Sequence, residues 1–244
     1  MVAKSKIEWT ESTWNPITGC TKISEGCLNC YAERMSKRLH SMGQKKYKNA
    51  FEVTLHPECL KEPLSLNKAQ IIFVCSMSDL FHKDVPDEFI KQVFAVMNKA
   101  SWHTFQVLTK RSDRLAKLAS ELNWTNNIWM GVTVESNAQK GRIKDLLKTP
   151  AKIKYLSIEP MITQVKPLVL EGIDWVIVGG ESGPGARPVE ENWVTYVRDK
   201  CQESNVPFFF KQWGGTNKKL AGSLLQDEYW KQYPNLKKVA LACK

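Results

Sequence analysis

Three cysteines lie close together near the start of the chain, in the stretch GCTKISEGCLNCYA. Cys20, Cys27 and Cys30 have the spacing C-x6-C-x2-C. Three thiolates can hold a [4Fe–4S] cluster and leave one iron without a protein ligand, open to a small molecule that receives an electron. Gly19 and Gly26, each directly before a cysteine, let the backbone wrap closely around such a cluster. This pattern predicts an iron–sulfur site on the three cysteines.

Other states of the three cysteines stay open at the level of sequence. A structural zinc site needs four ligands, and a fourth would come from His40, His56 or Cys59, none of which has regular zinc-knuckle spacing. A disulfide would use two of the cysteines and leave one over. An ordinary reduced loop is the remaining alternative, because thiols in the cytosol are kept reduced.

Short apolar, β-branched runs recur along the chain and alternate with amphipathic stretches. Runs of this kind are typical of strands that are buried on both faces, as in parallel sheets. The predicted strands are residues 13–18, 51–55, 71–76, 104–109, 128–134, 153–158, 175–180 and 207–213. The predicted helices are residues 31–43, 85–101, 111–122, 136–149 and 190–204. Strands alternating with helices in a chain of 244 residues predict an α/β fold, namely a (β/α)8 TIM-type barrel that is partial or irregularly closed.

The organisation we expect is a single barrel domain over residues 1–244, with its core at about 8–215 and a C-terminal extension at 216–244. The chain has no apolar run of membrane-spanning length, and its first residues lack the apolar region of a signal peptide. We therefore expect a cytoplasmic protein without a membrane partner. The net charge of +10 favours a polyanion such as nucleic acid as partner, although a solvated basic surface gives the same balance.

Polar and ionisable residues follow most of the predicted strands. In a barrel of parallel strands these positions share one rim, where the chemistry of the fold takes place. Beyond the cysteines, the candidate site residues are Tyr31, Ser76, Ser78, Asp79, Lys110, Arg111, Glu135, Glu159, Gly179, Gly180, Glu181, Arg187 and Lys211. Each also has an ordinary structural role available, as a helix cap, an ion pair or the end of a strand.

The cysteine loop that ends in CLNCYA and opens a predicted α/β barrel resembles that of the radical S-adenosylmethionine superfamily. The resemblance implies that the open iron chelates the amino and carboxylate groups of S-adenosylmethionine. One electron then cleaves the sulfonium into methionine and a 5′-deoxyadenosyl radical, which abstracts hydrogen from a substrate. It also implies an electron donor, flavodoxin- or ferredoxin-like. The usual spacing in that superfamily is C-x3-C-x2-C, so three extra residues separate Cys20 from Cys27 here.

Seven blocks carry a second resemblance: WNPITGCTKISEGCLNCYAERM, FVCSMSDLFH, LTKR, GVTVES, SIEPM, DWVIVGGESGPGARP and PFFFKQWG. They resemble a bacterial and phage family of three-cysteine proteins of unknown function, the phage Gp37/Gp68-type (DUF5131-like) family. The resemblance covers residues 8–215. The blocks are specific for the family and not for a reaction.

The radical S-adenosylmethionine resemblance implies contacts for the carboxylate, ribose and adenine of the cofactor. Tyr31, beside the last cysteine, would pack against it. Lys110 or Arg111 would pair with the methionine carboxylate through charge-assisted hydrogen bonds. Contacts to the ribose or the amino group would come from Ser76, Ser78 and Asp79.

Later strand ends supply the remaining expected contacts. Glu135 or Glu159 would accept hydrogen bonds from ribose hydroxyls or a substrate amine. Gly179 and Gly180, without side chains, would admit a ligand close to the backbone. Arg187 would hold a phosphate or a carboxylate.

Three functions are compatible with these residues. The first is a radical S-adenosylmethionine-type [4Fe–4S] enzyme acting on a nucleic acid or nucleotide, with Glu159, Glu181 and Lys211 as catalytic residues beside the cysteines. The second is a zinc- or cluster-stabilised nucleic-acid-binding barrel without turnover. The third is a metal-free hydrolase or lyase that uses the same Glu159, Glu181 and Lys211.

Overall fold

The computed structural model describes residues 2–235. The strands are β1 (Ala3–Lys4), β2 (Ser12–Trp14), β3 (Ile17–Thr18), β4 (Thr54–Leu55), β5 (Ile71–Val74), β6 (Thr104–Thr109), β7 (Ile128–Thr133), β8 (Ile153–Ile158), β9 (Trp175–Gly179), β10 (Phe208–Gln212), β11 (Leu224–Leu225) and β12 (Glu228–Tyr229). The α-helices are α1 (Tyr31–Ser41), α2 (Asp87–Lys99), α3 (Ser112–Leu118), α4 (Gly141–Leu147), α5 (Glu191–Glu203) and α6 (Lys218–Ala221). Short 3₁₀ turns lie at Glu25–Cys27, Lys45–Tyr47, Pro57–Cys59, Glu62–Ser65, Ala119–Glu121 and Asn137–Gln139.

An eight-stranded sheet forms the centre of the molecule, in the order β1-β2-β5-β6-β7-β8-β9-β10. Only β1 is antiparallel to its neighbour, and all the other neighbouring pairs of this sheet are parallel. The parallel strands follow one another in chain order, so their carboxyl ends share one edge of the sheet. This edge carries the loops that form the candidate site.

Helix α2 shows why the helices lie against the sheet. Pro86 precedes it, and Asp87 and Glu88 lie in its first turn, where acidic side chains interact favourably with the helix dipole. The buried side chains of the helix recur at helical spacing: Phe89, Ile90, Val93, Phe94 and Met97. They join the large apolar cluster that also contains one face of the strands.

The opposite face of the strands has its own aromatic core. Trp175 and Ile177 of β9 lie in this second cluster, whereas Val176 and Val178 lie in the first. The centre of the Trp175 ring lies 6.1 Å from that of Phe209, in an edge-on arrangement. Because side chains alternate along a strand, the next positions on the same face carry the side chains that reach the site.

The predicted α/β class is confirmed as a mixed fold with a mostly parallel eight-stranded sheet, a partial TIM-like arrangement. Within residues 2–235, β1 and β10 stand at opposite ends of the sheet order and do not pair. The segment after β12 lies along β10, where Lys231 bridges to Phe209, and the Lys231 Nζ lies 2.7 Å from Glu8 Oε2. Side chains, and not strand pairing, therefore connect this end of the sheet to the start of the chain.

Two of the eight predicted strands differ from the structure. The run 13–18 is divided between β2 and β3, because Asn15 turns its side chain to the Ser76 hydroxyl and the Met77 amide, and Pro16 has no N–H to donate. The run 51–55 contributes only β4, which pairs with β3 outside the main sheet.

The physical reason for the second difference is that residues 51–53 support the cysteine loop. The Cys20 amide donates to the Phe51 carbonyl over 3.1 Å, and the Glu52 carbonyl fills the space beside Gly19. In the main sheet β2 therefore pairs directly with β5. The eighth strand is β1, which the apolar pattern did not predict and which lies at the edge, on the other side of β2.

The described part of the predicted C-terminal extension contains α6, β11 and β12. The Trp175 indole donates to the Gln232 carbonyl, so this segment packs against β9. Residues 236–244 of the predicted extension lie outside the described residues. Between residues 2 and 235, no helix has the length and apolar character needed to cross a bilayer.

Candidate functional site

A cavity of about 260 Å³ lies at the carboxyl ends of the parallel strands. All three cysteines of the loop line it. Ten of the other predicted site residues also line it: Tyr31, Ser76, Ser78, Asp79, Lys110, Arg111, Glu159, Gly180, Glu181 and Lys211. Glu135, Gly179 and Arg187 lie behind this wall. Chain order and strand polarity thus bring most of the predicted residues together.

Asp79 and Arg111 connect two strand ends to the first cysteine. The Arg111 Nη1 lies 3.1 Å from Asp79 Oδ2 and 3.5 Å from Cys20 Sγ, and its Nη2 donates to the Thr21 carbonyl over 2.9 Å. Both charged side chains are buried. Burial, followed by the charge of Asp79, raises the pKa of the Cys20 thiol to about 11, against the lowering effect of Arg111. A metal bound by Cys20 would therefore displace a proton.

Glu135 follows β7 and supports the middle of the loop. Its side chain is fully buried, and Arg142 Nη1 donates to its Oε2 over 2.7 Å. The Ser24 hydroxyl donates to its Oε1, and the same hydroxyl lies 3.8 Å from Cys27 Sγ. A Cβ on Gly26 would lie 2.9 Å from Glu135 Cγ. Gly26 is therefore where the loop passes directly over this buried carboxylate.

Glu181 follows β9 and supports the end of the loop. It accepts hydrogen bonds from Asn29 Nδ2 at 2.9 Å and from Arg187 Nη2 at 2.6 Å. Burial alone would raise its pKa, but the hydrogen bonds from Arg187 and Asn29 and the Arg187 charge lower the pKa of Glu181 to about 2. Arg187 also donates to the Glu25 carbonyl, so the pair contacts the loop at two points.

Ser78 also holds the loop, because its hydroxyl donates to the Gly19 carbonyl, whereas three further polar groups of the cavity have other partners. Lys211 Nζ donates to Glu159 Oε1 over 2.5 Å. Lys110 Nζ lies 3.4 Å from the Thr133 hydroxyl, and within residues 2–235 it forms no ion pair. The Tyr31 hydroxyl donates to the Ser76 carbonyl at the mouth of the cavity. Lys110 is therefore a cation of the cavity wall without an acidic partner among the described residues.

Gly179, the last residue of β9, and Gly180 make room for the protein itself. A Cβ on Gly180 would lie 1.9 Å from the Trp213 carbonyl oxygen, and one on Gly179 would lie 3.2 Å from Glu159 Cδ. The expected space for a ligand beside them is thus filled by the chain's own atoms. Gly180 still lines the cavity with its backbone.

The residues named as fourth zinc ligands lie away from the cavity. His56 hydrogen-bonds the Thr18 hydroxyl, His40 the Tyr47 carbonyl, and Cys59 accepts from Lys46 Nζ. A fourth cysteine, Cys75, lines the cavity instead; it is buried, and burial raises the pKa of its thiol. Across residues 2–235, no three His, Cys, Asp or Glu side chains already stand together as a metal-ligand set.

Sequence reasoning missed several residues that belong to the loop or contact it or its partners, among them Ser24, Asn29 and Arg142. Asn29 could have been found from its place between two of the cysteines. Arg142 follows Glu135 by seven residues and carries no signal of its own, because a basic residue in a helix is ordinary.

Spore photoproduct lyase has a similar fold among solved structures. Two mutants, one of them with bound AdoMet and dinucleoside spore photoproduct, match with a TM-score of 0.50 and 11% sequence identity. The match covers 83% of this chain and 64% of the lyase. A further lyase structure, complexed with dinucleoside spore photoproduct, matches at 10% identity with the same TM-score and coverage. At this identity the similarity concerns the fold alone.

Comparison with curated proteins finds no match. The family model described as "Protein of unknown function (DUF5131)" matches residues 4–234. The chain belongs to this family, as its sequence blocks predicted.

Proposed function

For this member of the DUF5131 family we propose a radical S-adenosylmethionine-type enzyme that holds a [4Fe–4S] cluster on Cys20, Cys27 and Cys30. The observation that carries the proposal is that the three thiols of one loop line one cavity at the carboxyl ends of the parallel strands. When bound and reduced, the cluster supplies the electron that cleaves S-adenosylmethionine into methionine and a 5′-deoxyadenosyl radical. We propose a flavodoxin- or ferredoxin-like protein as the source of that electron.

The donor set fits a cluster with one open iron. Three thiolates suit an iron–sulfur cluster and leave one coordination position to a ligand. None of the three cysteines is paired in a disulfide. The thiols face the cavity, so a ligand on the open iron would lie inside it.

Lys110 is the group we assign to the carboxylate of S-adenosylmethionine. Arg111, the other candidate, already donates hydrogen bonds to Asp79, Cys20 and Thr21. Lys110 faces the same cavity and has no acidic partner among the described residues. A charge-assisted hydrogen bond from its ammonium group would orient the methionine portion.

The floor of the cavity excludes water from the reacting groups. Trp9, Phe73 and Leu108 line it below the polar rim. Trp9 and Phe73 stack edge-on with 4.7 Å between ring centres. A dry floor of this kind protects a reactive intermediate from side reactions. Glu159 and Lys211 lie at the same wall, where we propose that they hold and orient the substrate.

Nucleic acid or a nucleotide is the substrate class we propose. Helix α1 and the turn after it, over residues 31–48, carry six Lys and Arg side chains against one acid, Glu33: the six are Arg34, Lys37, Arg38, Lys45, Lys46 and Lys48. The segment directly follows the cysteine loop and is mostly exposed. Such a surface attracts phosphates. The dinucleoside bound to spore photoproduct lyase, a protein of similar fold, supports the same class.

Anaerobic purification tests the proposal. Iron, sulfide and zinc per chain and the absorption spectrum before and after dithionite identify the metal, and 5′-deoxyadenosine formed from S-adenosylmethionine identifies the reaction. Replacing any of Cys20, Cys27 or Cys30 by Ala should abolish both the binding of the iron–sulfur cluster and the formation of 5′-deoxyadenosine. The matched control is Cys201→Ala, since Cys201 is buried in α5 and burial raises the pKa of its thiol to about 12.

A zinc-stabilised nucleic-acid-binding protein without turnover is the second candidate, favoured by Cys75 as a fourth thiol on the cavity wall. One zinc per chain that is lost in Cys75→Ala, with no colour and no cleavage of S-adenosylmethionine, would replace the first proposal with this one. An activity that survives loss of the three loop cysteines would favour the metal-free hydrolase or lyase based on Glu159, Glu181 and Lys211.

A further inference from the structure

We infer that three buried carboxylates, each paired with an arginine, position the cysteine loop, one pair for each cysteine. The pairs are Asp79–Arg111, Glu135–Arg142 and Glu181–Arg187. We call them the three clamps. The inference concerns the chain's own loop and goes beyond the proposed function, because it holds whichever metal the loop binds.

The loop needs such clamps because apolar burial does not hold it. From Thr21 to Cys30 every residue is exposed or half-buried. The only regular structure in this stretch is the single turn Glu25–Cys27. A segment without buried apolar contacts has little to offset the entropy of a fixed backbone. Fixed positions for three sulfurs must therefore come from polar contacts.

The first clamp acts at Cys20. Arg111 is the direct contact, since one of its nitrogens donates to Cys20 Sγ and another to the next carbonyl in the chain, that of Thr21. Asp79 holds the guanidinium in place and also accepts hydrogen bonds from the Thr109 hydroxyl and the Lys110 amide. The loop is thereby tied to the ends of β5 and β6.

The second clamp acts at Cys27 through the two residues on its N-terminal side. The Ser24 hydroxyl binds the Glu135 carboxylate, and Gly26 lies against the same side chain. Arg142, from α4, holds Glu135 and also donates to the Thr133 carbonyl at the end of β7. The carboxylate therefore has a fixed position when the loop closes over it.

The third clamp acts at Cys30 through its neighbour Asn29. The Asn29 side chain donates to Glu181 and to the Gly185 carbonyl. Arg187 binds both oxygens of Glu181 and reaches the Glu25 carbonyl. The loop is thereby tied to the end of β9.

The three clamps lie at different strand ends, and each has its main contact with the loop beside a different cysteine. Among the described residues, the one contact outside this scheme is that of Arg187 with the Glu25 carbonyl, in the turn that contains Cys27. None of the contacts above joins one carboxylate to another. This arrangement predicts that loss of one clamp frees one cysteine and leaves the other two in place. A loop held merely by general stability would respond as a whole.

The test measures iodoacetamide alkylation of each cysteine, by peptide mass spectrometry, in the metal-free full-length chain. The variants are Asp79→Asn, Glu135→Gln and Glu181→Gln, which remove one charge and keep the shape. We expect alkylation to accelerate at Cys20, Cys27 and Cys30 respectively, by about tenfold, the factor for losing one charge-assisted hydrogen bond. The other two cysteines of each variant should stay within about twofold of wild type, because independent sites do not couple.

Glu159→Gln is the matched control. Glu159 faces the same cavity and is ion-paired to Lys211, but it forms no hydrogen bond with residues 19–31 among the described residues. It reports the effect of one lost negative charge in the cavity without loss of a clamp. The charge of Asp79 itself raises the pKa of Cys20, so the acceleration in Asp79→Asn must also occur in Arg111→Lys, which keeps the charges. If a neutralised acid does not fold, as judged by circular dichroism, Arg111→Lys, Arg142→Lys and Arg187→Lys keep the charge and remove the planar guanidinium group.

Equal acceleration at all three cysteines, or no change beyond that of Glu159→Gln, would overturn the inference. Iron per chain, measured separately after anaerobic reconstitution, keeps the two proposals apart. If each variant accelerates alkylation only at its own cysteine and the wild type never binds iron, the clamps are upheld and the cluster is rejected. Iron in the wild type together with a uniform alkylation response would uphold the cluster and reject the clamps.

Discussion

Replacing Gly26 by Ala tests how closely the loop is fitted to its second clamp. The new methyl group would lie 2.9 Å from both Glu135 Cγ and Oε1, closer than carbon atoms approach in folded proteins. Glu135 cannot give way easily, because it is fully buried and held by Arg142 and Ser24. The loop must therefore move outward, and Cys27 must move with it.

The expected loss of iron affinity in Gly26→Ala follows from the overlap between the new methyl group and Glu135. Overpacking by one methyl group in a closely packed site costs about 1–3 kcal/mol. If that cost falls on the closed form of the loop, the affinity for iron decreases by about 5- to 150-fold, since each 1.4 kcal/mol is tenfold. The backbone of Gly26 does not have the positive φ that only glycine adopts readily, so strain from the backbone does not add to this cost.

The assay compares iron per chain after anaerobic reconstitution at a series of iron concentrations, with urea unfolding of the metal-free protein alongside. Gly141→Ala is the matched control, because a Cβ at Gly141 meets no atom within 4 Å. Glu135→Asp in the Gly26→Ala background should restore part of the iron binding by withdrawing the carboxylate by one methylene group. Full iron binding and unchanged stability in Gly26→Ala would refute the fitted contact between loop and carboxylate.

Three further outcomes are expected. Lys110→Met should weaken binding of S-adenosylmethionine by about tenfold or more in calorimetry while iron per chain stays constant, and Lys110→Arg should retain binding; equal affinities in all three proteins would remove Lys110 from the site. Gly180→Ala should lower the free energy of unfolding by about 3 kcal/mol or more, because its methyl would overlap the Trp213 carbonyl, whereas Gly141→Ala should change it by less than about 1 kcal/mol; equal unfolding curves would contradict this. Glu181 has a folded pKa lowered to about 2 from 4.5, so its stabilising effect is complete above pH 4.5 and is lost as the pH falls towards 2. Urea unfolding of the metal-free wild type and Glu181→Gln should thus differ by up to about 3 kcal/mol at pH 6 and converge near pH 2, and a difference independent of pH would contradict the assignment.

The positions of the cavity residues could be predicted because they depend on two simple regularities. Parallel strands in chain order place their carboxyl ends on one edge, and the residue after each apolar run is visible in the sequence. Lys110, Glu159 and Glu181 were found in this way, and all three line the cavity.

The partners of those residues could not be predicted. A carboxylate at a strand end has the same sequence signal whether it faces a ligand or an arginine, so Glu135 and Glu181 were expected to contact the cofactor or the substrate. Their arginines come from α4 and from the loop after Glu181, and only the folded chain shows which cation meets which acid. The prediction of a main-sheet strand at 51–55 was wrong for a similar reason. The backbone carbonyls of Phe51 and Glu52 meet the start of the cysteine loop, and the run joins β3 instead of the main sheet.

Most charged side chains of the site are paired with a partner of opposite charge. Each carboxylate of the clamps has an arginine, and Glu159 has Lys211. Lys110 remains as the one cation of this set that no acid among residues 2–235 neutralises. An excess positive charge in a partly desolvated cavity favours a ligand with one anionic group. If the cavity binds S-adenosylmethionine as we propose, Lys110 would pair with its carboxylate, whereas the carboxylates of the clamps, already neutralised, would contribute position and not charge.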